Sequence, residues 1–288
     1  MNPPPPALLC LLCAAPLTEV VTREAGHALR ACLECRTLQL APLPDPAVVR
    51  AIYEHDQAQT SSRQLLAKSK VPYARQHNQH LLDLLRPHQA GGDLLELGPG
   101  GGLFLHQAQA AGYRVAGLEP NPVQRAFIAE QWGIAVSAGP LGEGEADCDA
   151  LVHCNVLSHL PDPVGAFAAM ARRLRPGGVL LFETGNYGEL SVRFRLLVAQ
   201  TERWQLPDHL VFYSERALRR LLKGAGFEVL AIHRYSRVAE KLAPRWLGRL
   251  GLRRLAERWR HLLLYRLGAI LPKERRPQAL IVVARRRG

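Results

Sequence analysis

The strongest constraint on the fold of this chain is an alternation of short apolar segments with amphipathic segments that begins at residue 93. The apolar segments are DLLELG, RVAGLE, ALVHCN and VLLFET, and amphipathic helical patterns over 103–111, 122–132 and 164–174 separate them. This rhythm is typical of a parallel, doubly wound sheet whose strands are joined by helices on both faces. The sequence therefore predicts an α/β fold.

The chain length and the distribution of motifs predict three parts. The 288 residues fit one α/β domain of about 150 to 200 residues with a smaller appendage. We expect a small cysteine-containing module over 1–45, a helical lid or linker over 46–92, and the main domain over 93–288. A hydrophobic content of 48% excludes a disordered or fibrous chain.

The sequence does not predict a membrane span or a secretion signal. No apolar run reaches the roughly 18 to 20 residues that cross a bilayer. The apolar stretch over 7–15 resembles the core of a signal peptide, but the first basic residue is Arg23, and signal peptides carry positive charge ahead of that core. We therefore expect a cytoplasmic protein, which could also lie peripherally on the inner face of the membrane.

Four of the six cysteines form two CxxC pairs, Cys10 with Cys13 and Cys32 with Cys35. Four thiolates in two such turns can surround one Zn²⁺ tetrahedrally, and the metal would stabilise a module too small to fold on its own core. The pattern predicts a structural zinc site in a zinc-ribbon-like module, and hence a reducing compartment. The alternative is a set of buried thiols or a degenerate knuckle, because the usual turn glycine follows neither pair. Cys148 and Cys154 are expected to be core thiols.

The segment after the first apolar strand of the main domain, Glu96-Leu-Gly98-Pro-Gly100-Gly-Gly102, predicts a ligand site. Glycine lets the backbone turn tightly and approach a ligand closely. A dinucleotide loop would have glycine at 98, 100 and 103, but residue 103 is leucine. Glycine at 98, 100 and 102, with an acidic residue two positions ahead, favours S-adenosylmethionine (SAM) over NAD. Glu119 ends the second strand, where a carboxylate can accept hydrogen bonds from both ribose hydroxyls.

With these motifs the chain resembles the class I SAM-dependent methyltransferase superfamily, in particular its bacterial branch with an N-terminal zinc-binding knuckle. The resemblance covers most of residues 10–232 and implies a Rossmann-like sheet of seven strands. It rests on six motifs in the order the family shows: ELGPGGG, GLEPNP, DALVHCNVLSHLPDP, RRLRPGG, FETGN and DHLVFYSERALRRLLKGAGFEV.

The resemblance also implies which residues bind the cofactor. Glu96 and the three glycines would surround the methionine part of SAM, and Glu119 would hold the ribose. Pro120 and Asn121 would line the adenosine, the segment 138–141 would flank the adenine, and Asn155 would face the methionine or the substrate. The ten predicted cofactor residues are Glu96, Gly98, Gly100, Gly102, Glu119, Pro120, Asn121, Gly139, Leu141 and Asn155.

Transfer of a methyl group from a sulfonium is an in-line displacement, so the protein mainly aligns the acceptor and excludes water. A hydroxyl acceptor must also lose its proton, and histidine is the usual base near neutral pH. The resemblance indicates His209 as this catalytic residue, with Asp208, Tyr213 and Asn186 as neighbours that could orient it. The alternative is that His209 caps a turn or bonds the backbone. His159 is expected to pack structurally, in a motif LSHL that relatives commonly write LEHL.

The net charge of +12 is concentrated near the C-terminus. From residue 234 onward the chain has 16 Lys and Arg against 3 Asp and Glu, which leaves 21 against 22 before it. Most of this charge lies in residues 233–278, an insertion between the apolar segments FEVLAI and ALIVVARR. Apolar residues alternate there with basic ones, so the insertion is a basic amphipathic stretch, for which three interpretations stay open. It could lie on an anionic membrane surface, cover the acceptor site and pair with the phosphate of a nucleotide- or lipid-linked sugar, or be a solvated face packed on the protein. Nucleic acid is a weak fourth choice, because base-stacking aromatic residues are not interleaved with the charges.

The resulting functional hypothesis is an enzyme that moves the methyl group of SAM to an oxygen, less readily a carbon or nitrogen, of a sugar-containing or other small acceptor. The substrate class comes from the resemblance alone, and one fold serves many acceptors. The alternatives are a noncatalytic SAM-binding or zinc-ribbon adaptor at a membrane surface or in a complex, and an NAD-binding oxidoreductase.

Overall fold

The computed structural model describes residues 8–139, 141–142, 147–185, 206–235 and 279–288. The strands are β1 (Glu19–Glu24), β2 (His27–Ala31), β3 (Leu38–Leu40), β4 (Gly92–Leu97), β5 (Tyr113–Leu118), β6 (Val136–Ser137), β7 (Cys148–Cys154), β8 (Leu174–Gly185), β9 (Val211–Phe212), β10 (Phe227–Tyr235) and β11 (Ala279–Arg286). The α-helices are α1 (Pro46–Gln59), α2 (Ser62–Ser69), α3 (Pro72–Leu85), α4 (Leu103–Ala110), α5 (Pro122–Trp132), α6 (Pro163–Arg173) and α7 (Glu215–Gly224).

The main sheet has, among these residues, seven strands in the order β10-β11-β8-β7-β4-β5-β6. The strands from β8 to β6 run parallel, whereas β11 lies antiparallel between β8 and β10. The predicted Rossmann-like α/β fold is confirmed. The carboxyl ends of β4, β5, β7 and β8 meet at one edge, which is where open α/β sheets bind ligands.

Helices cover both faces of this sheet because successive strand residues point in opposite directions. Leu94 packs with the core formed by α3, α4 and α5, while its neighbour Leu95 packs with the core formed by α6 and α7. Val179 and Leu180 of β8 divide between the two cores in the same way.

The segment predicted as a helical lid or linker shows two helical patterns in its sequence, the second over residues 73–88, but it folds as three helices. Thr60 is extended, with ψ of 131°, and ends α1. Ser61 then begins α2 with a reciprocal capping box, since its hydroxyl accepts from the Gln64 amide and the Gln64 side chain accepts from the Ser61 amide. These two residues separate the first pattern into α1 and α2.

A second, four-stranded sheet in the described residues has the order β1-β2-β3-β9. Its first three strands belong to the predicted zinc-ribbon-like module, but β9 lies in sequence between β8 and β10 of the main sheet. Leu38 pairs with Phe212, and the Leu40 amide donates to the Leu210 carbonyl at 2.9 Å. The hydrogen bonds of the small sheet thus extend across the boundary predicted at residue 45.

Residues 236–278, nearly all of the basic insertion, lie outside the described residues, so their three interpretations stay predictions. None of the helices that the structure describes is both long enough and apolar enough to cross a membrane.

Candidate active site

The glycine loop connects β4 to α4 at the carboxyl edge of the main sheet. Gly98, Gly100 and Gly102 all have positive φ, of 62°, 56° and 70°. A Cβ atom on Gly102 would also lie 2.8 Å from Cγ1 of Ile128 on α5, whereas a Cβ on Gly100 would meet nothing closer than 3.8 Å. Gly102 is therefore needed for packing as well as for the turn, and the backbone at Gly100 is open to a ligand.

Glu119, just beyond β5, is tied to the glycine loop. Its Oε2 accepts from the Gly100 amide at 3.1 Å, and its Oε1 accepts from the Asn121 amide at 2.9 Å. Burial raises the pKa of this carboxyl against the opposing effect of the two amide hydrogen bonds. Each carboxylate oxygen can accept more than one hydrogen bond, so the geometry is compatible with the predicted contact to two ribose hydroxyls.

Glu96 is almost fully buried at the end of β4, at 4% exposure. Burial, reinforced by the charge of Glu119, raises its pKa to about 8. Its Oε2 has no hydrogen-bond partner among the described residues. A buried carboxyl oxygen without a partner is costly, which is compatible with a polar ligand group as the missing partner.

A cavity of about 400 Å³ lies beside this loop, between α2, α3 and the carboxyl edge of the sheet. Three predicted cofactor residues, Glu96, Gly98 and Asn155, line it. Asn155 has φ of 58°, an uncommon conformation for a residue other than glycine, and its amide donates to the Glu183 carbonyl at 3.0 Å. Such strained residues occur preferentially at ligand sites.

The cavity also contains residues that the sequence analysis did not single out. Nε2 of His77 on α3 lies 2.5 Å from Oε2 of Glu183 on β8, and Glu183 is 1% exposed. Lys68 of α2 lines the same cavity. One signal was available for His77, because it precedes the buried residues Leu81 and Leu85 by four and eight positions and so shares their face of the helix.

A second cluster at this edge contains the predicted catalytic residue. Nδ1 of His159 lies 3.0 Å from Oδ1 of Asp208, and Nδ1 of His209 lies 3.7 Å from Oδ2 of the same carboxylate. The two imidazole rings are 4.6 Å apart. His209 thus lies beside Asp208, its neighbour in sequence, and the structure adds His159, for which only a packing role was expected.

Hydrogen bonds from the β9 region hold the turn that contains His159. The Leu210 amide donates to the Ser158 carbonyl at 2.7 Å, and the buried Tyr213 hydroxyl donates to the Leu157 carbonyl at 3.0 Å. Tyr213, predicted to orient His209 or the acceptor, therefore contacts the turn at residues 157–159. Asn186, the other predicted neighbour, is outside the described residues.

The charges in this cluster favour a protonated histidine. Burial alone would lower the pKa of His159, but the hydrogen bond to Asp208 and the charge of Asp208 outweigh it and raise that pKa. Burial would raise the pKa of Asp208, and the contact with His159 reverses the effect and lowers it. Asp208 can therefore stabilise an imidazolium formed beside it.

Tyr53 on α1 is affected by acidic groups of both regions. Its side chain is 44% exposed, and its pKa is raised by partial burial and then by the charges of Asp208, Asp56 and Glu119.

The other predicted cofactor residues lie at the edge of the site. Asn121 caps α5, with its side chain accepting from the Val123 amide at 2.9 Å, and the Pro120 carbonyl accepts from Arg125. Gly139 is exposed and Leu141 is partly buried, while Pro140 between them is outside the described residues. Their contacts with adenosine stay predictions.

The four cysteines of the two CxxC pairs come together as the spacing predicts. Sγ of Cys10 lies 3.5 Å from Sγ of Cys35, and Sγ of Cys13 lies 3.4 Å from Sγ of Cys32. All four sulfur atoms lie within 4.8 Å of one another. Four thiolates bound tetrahedrally at a Zn–S distance of about 2.3 Å would be about 3.8 Å apart, so the residues present fit a structural Zn²⁺.

Both knuckles adopt the same turn without the usual glycine. The Ala14 amide donates to the Cys10 carbonyl at 2.9 Å, and the Arg36 amide donates to the Cys32 carbonyl at 2.8 Å. Ala14 and Arg36 have φ of 57° and 60°. The missing glycines, which favoured a degenerate knuckle, therefore do not prevent the turn.

The parallel sheet, the glycine loop and the acidic residue after β5 define a class I SAM-dependent methyltransferase fold. A family model described as a methyltransferase domain matches residues 71–232, more than half of the chain. The chain belongs to this methyltransferase family.

The relatives agree in class and differ in substrate. The ubiquinone biosynthesis O-methyltransferase of Aromatoleum aromaticum is 29% identical over 152 residues, which cover 48% of this chain and 65% of that protein. The match thus spans just under two thirds of this relative. The crystal structure of the 1,6-didemethyltoxoflavin-N1-methyltransferase of Burkholderia thailandensis, with bound 1,6-didemethyltoxoflavin and S-adenosylhomocysteine (SAH), has a TM-score of 0.55 at 17% identity and covers 94% of this chain and 100% of that chain. A geranyl diphosphate methyltransferase in complex with SAM has a TM-score of 0.50 at 20% identity, covering 78% and 90%.

Proposed function

We propose that this protein transfers the methyl group of SAM to an oxygen atom of a small-molecule acceptor. The observation that carries the proposal is the Asp208 carboxylate between His159 and His209, at the carboxyl edge of the sheet that also holds Glu96 and the glycine loop. It supports a single site in which an acid–base cluster and a cofactor region share one edge of the sheet. The name of the Aromatoleum relative supports oxygen as the methylated atom.

Within this proposal the residues divide into two groups. Glu96, the glycine loop and Asn155 bind the methionine part of the cofactor, and Glu119 binds its ribose. When bound, SAM supplies an electrophilic methyl group on a sulfonium. His209 accepts the proton of the acceptor hydroxyl, and Asp208 stabilises the imidazolium that results. The new O–C bond forms as the C–S bond breaks, and the sulfur keeps the electron pair.

His159 contacts the same Asp208 carboxylate as His209. The charge of His159 therefore affects how strongly Asp208 stabilises a protonated His209. Because Asp208 lies between the two rings, it can hold a proton near either one. The cysteine cluster, with Zn²⁺ bound, has a structural role in this proposal and takes no part in the chemistry.

The first test is calorimetric binding of SAH to the wild type, to Glu119→Gln and to the exposed control Glu130→Gln on α5. Loss of charge-assisted hydrogen bonds to two hydroxyls should weaken binding at least about tenfold in Glu119→Gln and leave the control unchanged. Folded wild-type protein that binds no SAH would refute the proposal.

The acceptor class is tested with SAM and two sets of hydroxyl compounds, which are hydroxylated ubiquinone precursors, after the name of the Aromatoleum relative, and nucleotide-linked sugars. We expect methylation within one set, and His209→Gln should reduce its rate by about 100-fold or more, the usual contribution of a general base. A rate unaffected by this substitution would remove His209 from the mechanism while leaving the cofactor site intact.

A further inference from the structure

The cavity beside the glycine loop has an acidic wall. Glu96 on β4 and Glu183 on β8 line it from the two strands on either side of β7. They are 4% and 1% exposed. Oε2 of Glu96 has no hydrogen-bond partner in the described part of the chain. Two buried carboxyl groups in one cavity are costly, unless a positively charged ligand compensates for them.

The two carboxyl groups differ in how their charge is controlled. Glu96, with a pKa near 8, is largely protonated at neutral pH. Glu183 is held by the imidazole of His77 at 2.5 Å, and a hydrogen bond from an imidazole N–H stabilises the carboxylate form. Glu183 is therefore the wall residue whose hydrogen-bond partner favours the negatively charged form.

SAM and its product SAH differ at the sulfur atom, which carries the transferable methyl group in SAM and not in SAH. Both have the same adenosine, ammonium and carboxylate groups, but the sulfur of SAM is a sulfonium and that of SAH is a neutral thioether. A carboxylate in a cavity with low effective dielectric attracts the sulfonium and has little effect on the thioether. Groups that contact only the shared parts cannot distinguish the two ligands.

Among the described residues, the other ionisable groups that line the cavity do not replace the Glu183 carboxylate. Lys68 on α2 has the charge to bind the ligand carboxylate, which SAM and SAH share. His77 is the partner of Glu183, and the remaining two groups are the Tyr73 hydroxyl on α3 and the Cys154 thiol on β7.

We propose that Glu183, held by His77, is the residue with which this cavity distinguishes SAM from SAH. Its charge stabilises the bound sulfonium, and that stabilisation is lost when the sulfur becomes neutral, which favours release of the product. The proposal rests on the proposed function, because it requires that SAM occupy this cavity.

The test is the ratio of the dissociation constants of SAM and SAH, measured by calorimetry without any acceptor. In Glu183→Gln the Kd of SAM should rise at least about tenfold relative to that of SAH, compared with the wild type, because the attraction between a carboxylate and a sulfonium in a cavity of low effective dielectric is removed. The matched control is Glu119→Gln, which should weaken both ligands and leave their ratio unchanged. If Glu183→Gln weakened both ligands equally, the proposal would be overturned.

A second pair of variants covers the case in which Glu183→Gln does not fold. His77→Gln keeps a hydrogen-bond donor for Glu183 without a charge, and His77→Lys places a fixed positive charge beside it. The SAM preference should persist in the first and fall in the second, and equal ratios in the two would overturn the proposal. If the folded wild type bound neither SAM nor SAH, the proposed function itself would fail. If the wild type bound both ligands and the variants at Glu183 and His77 left the ratio of their dissociation constants unchanged, only this inference would be overturned.

Discussion

The hydroxyl of Ser214 donates a hydrogen bond of 2.6 Å to the main-chain carbonyl of Cys35, across a sequence separation of 179 residues. The same hydroxyl accepts from the Ala217 amide at 3.1 Å and so caps α7. Both residues are buried. One side chain thus connects the cysteine knuckle to the helix that follows the histidine cluster.

This double role predicts an unusually large effect for Ser214→Ala. The substitution removes a helix cap and also leaves the buried Cys35 carbonyl without its donor, so unfolding should become easier by about 2 to 3 kcal/mol. The matched control is Ser61→Ala, which removes the exposed cap of α2 and should cost about 0.5 to 1 kcal/mol. Urea denaturation measures both. Equal costs for the two serines would show that the bond to Cys35 contributes nothing.

The cysteine cluster predicts metal content. Wild-type protein should carry about one Zn²⁺ per chain, and Cys35→Ser should lose it together with much of the stability of the knuckle, because the metal supplies folding energy to such modules. The control is Cys148→Ser, whose buried thiol lies outside the cluster and has its pKa raised to about 12 by burial. Elemental analysis of the purified proteins gives the answer. Metal-free wild type would favour the alternative of four buried thiols.

The burial of Glu96 predicts a pH dependence of stability. Because its pKa is about 8 when folded and about 4.3 in an unfolded chain, the folded state binds more protons between these values, and the free energy of unfolding must fall as the pH rises through this range. Glu96→Gln should remove this fall, so that the variant gains about 2 to 4 kcal/mol over the wild type between about pH 5 and 8. Urea denaturation at both pH values measures the difference. Parallel pH profiles would show that Glu96 is not buried as a neutral acid.

The contact between His159 and Asp208 predicts a second pH dependence of stability, in the same direction. The pKa of His159 is raised in the folded state, so this pair stabilises the fold fully below the unfolded pKa, and the stabilisation is lost as the pH rises through the folded pKa. Asp208→Asn should lower the pKa of His159. Asp56→Asn should lower it less, because the charge of Asp56 has a smaller effect on His159 than that of Asp208. NMR titration of the ring protons follows both variants. An unchanged His159 titration in Asp208→Asn would exclude the pairing.

Much of the geometry of the candidate cofactor site could be predicted from the sequence because its determinants are local. The glycine spacing from Gly98 to Gly102 reflects the positive φ that these positions adopt. Glu119 directly follows β5, the strand paired with β4. The two CxxC turns bring Cys10 and Cys13 together by spacing alone. Apolar periodicity likewise predicted the parallel sheet and the helices on both its faces.

The pairs that complete the site could not be predicted in this way, because each depends on elements distant in sequence. His77 meets Glu183 only because α3 packs over the end of β8. His159 meets Asp208 only because the β9 region bonds the turn after β7, and Ser214 reaches Cys35 only because β9 completes the small sheet.

The sequence by itself therefore determined the fold class, the glycine loop and the cysteine pairs, all of which follow from hydrophobic periodicity, backbone freedom and short spacings. The tertiary structure alone decided which titratable side chains share a buried environment. Charge and pKa depend on distances of a few ångströms between groups whose separation along the chain carries no information about those distances.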